Sequence, residues 1–422
     1  MTSLVWIILP LALLRGGIGT PRSPSTLILD HATLLETPSS SPRHDVAITI
    51  VDGQIQNIQA SSEFQQASAA GRVIDLRGDW VLPGLIDSHA HLYDIPSAQR
   101  MLARGITTAR SMMTTGYEDV GLKALYARGD RDLPETLATG FPVVAHPNSF
   151  VPNLSSLFLD NPDLDDLRFR ERIGADGARR IVDDNARRSV DWVKVFANGR
   201  AGVLSAEPTS RDLNDDELEA AVKEAATYGI PVAVHAYSDD GASAAVRAGV
   251  RTVEHGALIT EPTVRLMHER GVCFTPTLAA FYAHATAAAD ASPDEKALAA
   301  RLRVMIDSSR RAVAIARSLK VPIIAGSDSE YGSDEDPTVV DEVSRLAEAG
   351  LGSAQALDSA TETAAACLGL ERRKGSVRPG FDADLVVYAK DPRTDLEVLR
   401  NPSMVINHGS IAVDKLTRPP KP

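Results

Sequence analysis

The chain has little cysteine, few aromatic residues, no excess of positive charge and no apolar run long enough to span a membrane. Two cysteines in 422 residues, Cys273 and Cys367, are too few for a disulfide framework or a cysteine-built metal site. Both lie in apolar segments, and two buried free thiols are the expected state. A net charge of −12 with no basic stripe argues against a nucleic-acid partner. The N-terminal stretch Leu4–Leu14 has the length of a signal-peptide core and is too short to cross a bilayer. Its Met-Thr-Ser start carries no basic residue and no Ala-x-Ala site follows, so the compartment stays open between cytoplasmic and secreted. No membrane partner is expected beyond that segment. Lysine is also scarce, at nine of the 44 basic residues. A lysine set among apolar neighbours is therefore singled out.

What is present is an ordinary globular composition, 24% charged and 44% hydrophobic, in a chain long enough for one large domain and a smaller one. Residues 1–25 read as a possible signal segment and a linker rich in Gly, Pro and Ser. Short β-type runs follow at Thr26–Leu29, Val46–Val51, Gln54–Ile58 and Val73–Leu76, with Asp52-Gly53 as a hairpin turn. They are too few and too short for a core of their own. Partners stand at the far end, in the strand closing Gly375–Tyr388 and in Met404–Asn407 and Ser410–Val413. The expectation is a small β-sandwich domain built from both chain ends, 26–80 plus 375–415, with 81–370 inserted.

The inserted part alternates β-like and helical runs. The expected strands are Leu85–His89, Thr107–Met112, Thr136–Gly140, Trp192–Ala197, Val232–His235, Thr252–His255, Cys273–Leu278 and Ile323–Asp328. The helices are clearest where caps are visible: Asn214 with Glu217 opens one that Gly229 closes before Pro231. Glu261–Arg270, Pro293–Leu319 and Thr338–Ala349 read the same way. Eight strand–helix units over about 250 residues is the count of a (β/α)8 TIM-like barrel, an α/β fold.

Such barrels carry their active sites at the C-terminal strand ends. There the first strand ends in His89-Ala90-His91, whose side chains share a face at period 2. The fourth carries Lys194 in Val-Lys-Val-Phe, the fifth ends in His235, the sixth in His255 and the eighth in Asp328. Each has an unremarkable reading alone, as a packed histidine, a paired lysine or a helix cap. Together they place six metal-type or ionisable groups on one rim.

The pattern resembles the metal-dependent amidohydrolase superfamily, in particular its imidazolonepropionase-like and Xaa-Pro dipeptidase (prolidase)-like branch, to which ochratoxin-hydrolysing amidohydrolases are related. The resemblance rests on Leu82-Pro-Gly-Leu-Ile-Asp-Ser-His-Ala-His91, Gly105–Arg110, Val193–Gly199, Val234–Tyr237, Ala248–Gly256, Pro276–Leu278, Ala325–Asp328 and the Gly380-Phe-Asp-Ala-Asp-Leu-Val-Val tail. It implies two divalent metal ions bridged by a Lys194 carboxylated with CO2. His89, His91 and Asp328 would hold one, and His235 and His255 the other. Zinc suits imidazoles and a carboxylate, though other divalent ions fit as well. Asp328 would also act as general base and then acid.

The resemblance further implies that His146 touches the scissile carbonyl, although its loop departs from the Gly-Gly-His-Gly form of this branch. Tyr237 would either donate to substrate or pack. Arg200 would either clamp a substrate carboxylate or stand solvated in its loop, and His284 is a weaker candidate. The implied activity is hydrolysis of C–N bonds in dipeptides or N-acyl amino acids, prolidase- or carboxypeptidase-like, including ochratoxin-type amides. The alternatives are a cyclic-amide hydrolase, a deaminase, which usually lacks the bridging lysine, and a non-catalytic barrel scaffold. The expected partners are a small-molecule substrate and further copies of this chain.

Overall fold

The computed structural model describes residues 26–64, 71–146, 164, 166–167, 170–202, 207–285 and 291–416. The apolar N-terminal segment lies outside them. No helix among the described residues is long and apolar enough to cross a membrane.

The chain begins with β1 (Thr26–Leu34), β2 (Arg43–Val51), β3 (Gln54–Ala60), β4 (Arg72–Asp75) and β5 (Trp80–Pro83). Asp52 and Gly53 have φ of 48° and 84°, the doubly left-handed turn that Asp-Gly makes easily, and they join β2 to β3. Parallel strands follow in two groups. One is β6 (Leu85–Ala90), β7 (Ile106–Ser111) and β8 (Glu135–Ala138); the other is β9 (Val193–Phe196), β10 (Val232–Ser238), β11 (Thr252–Leu258) and β12 (Cys273–Thr275). Lone parallel bridges Val143–Val195, Phe274–Ile323 and Ala90–Ser329 span the gaps between them.

The stretch expected as an eighth strand, Ile323–Asp328, makes a single bridge, from Ile323 to Phe274, and no ladder. Ile324 and Asp328 donate to Phe274 of β12 and His89 of β6, but Ala325 and Ser327 donate to Ser359 and the Asp87 carboxylate instead. The strands expected at Thr136–Gly140 and Cys273–Leu278 stop early, at Ala138 and Thr275.

Helices separate the strands: α1 (Ile95–Ala103), α2 (Glu118–Ala127), α3 (Gly174–Arg187), α4 (Asp215–Thr227), α5 (Asp239–Ala248), α6 (Glu261–Arg270), α7 (Leu278–His284), α8 (Pro293–Ser318), α9 (Val339–Leu346), α10 (Ser353–Asp358) and α11 (Glu362–Leu368). The capping box read at Asn214–Glu217 is formed, and Ser292–Glu295 and Thr338–Asp341 cap α8 and α9 likewise. Aliphatic strand residues such as Val193, Val195, Val234 and Val253 share one core with the inner faces of these helices.

The last strands, β13 (Leu385–Tyr388), β14 (Met404–Asn407) and β15 (Ser410–Asp414), return to β5, giving the order β15-β14-β13-β5-β1-β2-β3 with β4 beside β1. Both chain ends thus share a sheet with its own apolar core. The pairing runs through all eight strands as one sheet, where a sandwich of two was expected.

The free thiols expected of Cys273 and Cys367 are a disulfide instead, with Cα atoms 6.2 Å apart. Ninety-four residues separate the pair in sequence. Only the packing of the start of β12 against α11, in a core shared with Trp192 and Leu368, brings them together.

A buried ion network fastens β8 to the turn before β13. Lys374, at 1% side-chain exposure, lies 3.0 Å from Glu135 and 3.8 Å from Asp382, with Asp384 closer still. Burial alone would raise Glu135, but Arg373 and Lys374 hold it at about 2. Removing the cation strands buried carboxylates, so Lys374→Met is expected to cost about 3–5 kcal/mol by denaturant unfolding. A loss within error of zero would contradict that reading.

Glu342 of α9 accepts from the Ala279 backbone at 2.7 Å, at the start of α7. Burial pushes its carboxyl up to about 8. The folded chain then keeps a proton that the unfolded chain releases near 4.5, so this group's contribution to stability falls as pH rises from about 4.5 to about 8. Glu342→Gln is expected to flatten the fall in melting temperature between pH 5 and pH 8, and equal slopes in the two proteins would refute it.

Candidate metal centre

His89 lies on β6 and His91 just beyond its end, their ring centres 5.5 Å apart. Asp328 reaches both through one oxygen, Oδ1, at 3.2 Å from His89 Nε2 and 3.0 Å from His91 Nε2. One potential ligand atom from each of the three lies within 4.8 Å of the others. His255 stands 3.9 Å from the second Asp328 oxygen, and its ring is 5.0 Å from His89 and 4.5 Å from His235. Lys194 of β9 completes the group. All six line one cavity of about 400 Å3.

Each imidazole has one nitrogen held by a group other than Asp328. His89 Nδ1 is 2.8 Å from the Glu254 carboxylate and His255 Nδ1 is 2.7 Å from the Thr277 hydroxyl. His91 Nδ1 and His235 Nε2 each lie 3.4 Å from a carbonyl, of Met113 and Gly199. Anchoring one ring nitrogen fixes the tautomer and leaves the other nitrogen as a donor atom.

The backbone is bent to achieve this. Alternation along β11 would send Glu254 and His255 to opposite faces. A φ of 68° at His255, followed by 53° at Gly256, breaks the alternation and lets both side chains face inward. Asp328 is also left-handed, at 55°. Such conformations cost non-glycine residues on the order of 1–3 kcal/mol each. At Gly326 any Cβ would come within 2.6 Å of His89 Cβ and 2.7 Å of Thr275 Cγ2, so the close approach of this segment to His89 requires glycine.

The protonation states suit a cation. Burial lowers His255 to about 3. Burial, reinforced by His255 and Lys194, takes His235 well below its ordinary value. Burial alone would raise Asp328, but His89 and His91 keep it ionised well below the usual carboxylate range. Burial brings Lys194 down to about 8. Its Nζ has no hydrogen bond or ion pair among the described residues and stands 5.4 Å from the Phe196 ring. The neutral His235 and His255 imidazoles, the His89 and His91 rings, an ionised carboxylate and a buried amine form a donor set that fits divalent ions.

Tyr237, Arg200 and His284 line the same cavity. Tyr237 is buried, stacked 5.0 Å from His255, and burial raises its hydroxyl, so it remains a donor. His146 is absent from the lining: its Nδ1 faces the Glu171 carbonyl and its Nε2 lies 3.3 Å from Arg172. The loop following it lies outside the described residues. Sequence reasoning missed Tyr93, Met113 and Glu330, which also line the cavity, because nothing in their local pattern marks them. It also missed Glu254, which a regularly alternating strand would turn away from His255.

Histidine, lysine and aspartate side chains thus gather in one cavity beside parallel strands and a sheet built from both chain ends. Residues 80–412 match the amidohydrolase family, and the chain belongs to it. An uncharacterised Mycobacterium tuberculosis protein is 30% identical over 93% of this chain and 98% of its own length. Ochratoxinase of Aspergillus niger is 26% identical over 89% of this chain and 84% of its own. Among solved structures, a prolidase complexed with N-methylphosphonate-L-proline aligns with a TM-score of 0.79 at 26% identity, covering 92% of this chain and 99% of that one. These neighbours imply a TIM-like barrel with a β-rich domain.

Proposed function

We propose that the chain is a binuclear metal-dependent hydrolase that cleaves the C–N bond of dipeptides or N-acyl amino acids. The observation that carries this reading is the convergence of His89, His91, Lys194, His235, His255 and Asp328 on one cavity. The similarity to a prolidase and to ochratoxinase supports an amide whose product bears a free amino acid. In this reading the two parallel sheets and 323–329 close into an eight-stranded barrel over 81–370, with 26–80 and 375–415 as the smaller domain.

His89, His91 and Asp328 would hold one ion and His235 and His255 the other, with a carboxylated Lys194 as a shared oxygen ligand. Carboxylation forms a bond from the neutral amine nitrogen to CO2 and releases a proton, so a buried cation becomes an oxygen ligand. Two such ions, zinc by the donor set, would supply Lewis acidity, lowering the pKa of water at the site and polarising the amide carbonyl. Asp328, ionised and bonded to both histidines, takes the proton of the attacking water and delivers it to the leaving nitrogen. The Tyr237 oxygen accepts from the Ala201 backbone, which leaves its proton free for the substrate oxygen as negative charge develops there. Arg200 at the cavity wall suits the carboxylate of the leaving amino acid.

The test is a kinetic screen of dipeptides and N-acyl amino acids with zinc-loaded and chelator-stripped protein. The expected result is turnover of at least one of these amides, lost on stripping and regained on adding metal. Turnover unaffected by stripping, or none with any amide, would overturn the reading.

A further inference from the structure

Beneath the proposed metal site lies a second buried charge system that the reaction itself does not use. Arg110 of β7 has no exposure, and its guanidinium is spent on three partners. Nε donates to the Ser88 carbonyl at 2.7 Å, Nη1 to the Thr252 hydroxyl at 3.1 Å and Nη2 to Glu254 Oε1 at 2.9 Å. Its face covers the Trp192 ring at 4.5 Å. The other Glu254 oxygen meets His89 Nδ1 at 2.8 Å, and the Thr252 hydroxyl closes on the first. The result is a chain from Arg110 through Glu254 to His89 that ties β7, β11 and β6 together.

Stability alone gives no reason for this chain. Desolvating an arginine and a glutamate costs several kcal/mol each, and well-packed apolar residues often replace such a pair without loss. The difference lies in what the pair holds. Apart from their contacts with Asp328, only His89 of the four imidazoles meets a carboxylate among the described residues; the others lean on carbonyls or a hydroxyl. The carboxylate is itself immobilised by the two-pronged contact with Arg110 and Thr252.

We infer that Glu254, locked by Arg110, is a positioning residue: it fixes the His89 tautomer and ring so that Nε2 faces the ion shared with His91 and Asp328. This rests on the metal-hydrolase reading above. Glutamine at 254 would set an amide NH2 against the guanidinium or against His89. Turned from the first clash, it donates to Nδ1 and drives the histidine proton onto Nε2, the nitrogen needed for the ion.

The experiment measures zinc affinity of the full-length chain by chelator competition, alongside the melting temperature of the metal-free protein. The proteins compared are wild type, Glu254→Gln and the double variant Arg110→Met/Glu254→Met. Both variants are expected to bind zinc about 10- to 100-fold more weakly. The double variant should do so while keeping the wild-type melting temperature, which a purely structural role would not produce. Wild-type zinc affinity in either folded variant overturns the inference. If instead the wild type binds no zinc, the metal-hydrolase reading falls with it, and the two failures are distinguishable. Should one variant fail to fold, the other decides.

Discussion

Lys194→Ala is expected to abolish turnover and to lower the metal content together. The side chain is 1% exposed, flanked by Val193 and Val195 on β9, and points into a cavity with four imidazoles and Asp328. A bare ammonium there has no ion pair among the described residues, and burial, only partly offset by Glu254 and Asp328, pulls it down to about 8. An amine in this state is poorly explained by packing and well explained by conversion into a ligand. Removing a member of an interdependent catalytic set costs roughly 10^4-fold or more in kcat/KM. The accompanying change is a drop from two ions per chain to one or fewer, read by elemental analysis. Alanine leaves a void where the lysine and its CO2 would sit, so a small carboxylate such as acetate should restore part of the activity. Lys194→Met fills the void and should not be rescued. Because methionine carries no charge to desolvate, the metal-free Met variant should be at least as stable as the metal-free wild type. Full activity and metal content in Lys194→Ala would remove the carbamate bridge.

Asp328→Asn changes one atom type and is expected to be nearly as severe. The carboxylate is the only acid bonded to both His89 and His91 among the described residues, and those contacts keep it ionised. Asparagine keeps the shape but neither attracts a cation nor accepts a proton. Loss of general acid–base transfer alone is worth roughly 10^2- to 10^4-fold in kcat. Weaker metal binding adds to it. A split in which kcat falls at saturating zinc, while KM moves little, would assign the loss to proton transfer. An unchanged kcat would contradict the assignment of Asp328 as the base.

Much of this site was legible in the sequence because of where it sits. Apolar runs that carry a polar residue mark buried parallel strands, and His89, Lys194, His235 and His255 lie on β6, β9, β10 and β11. The end-built sheet was legible too, from Asp52-Gly53 and the strand-rich tail. What escaped depended on backbone turns or long-range contact. Glu254 faces inward only because His255 adopts a left-handed φ, and nothing in Val-Glu-His announces that. The Cys273–Cys367 bond joins residues that only tertiary packing makes neighbours. Ile323–Asp328 has the composition of a strand, but the Ala325 and Ser327 amides go to Ser359 and the Asp87 carboxylate, which breaks the ladder. His146 was placed by resemblance in a loop, where pattern constrains direction least, and its ring is engaged outside the cavity lining.

A two-ion site is tested most directly by counting ions. Elemental analysis of the purified wild-type chain, saturated with zinc and desalted, is predicted to give close to two divalent ions per chain. The count should fall to one or fewer in Lys194→Ala. A wild type that retains none, or a Lys194→Ala protein that still retains two, would contradict it.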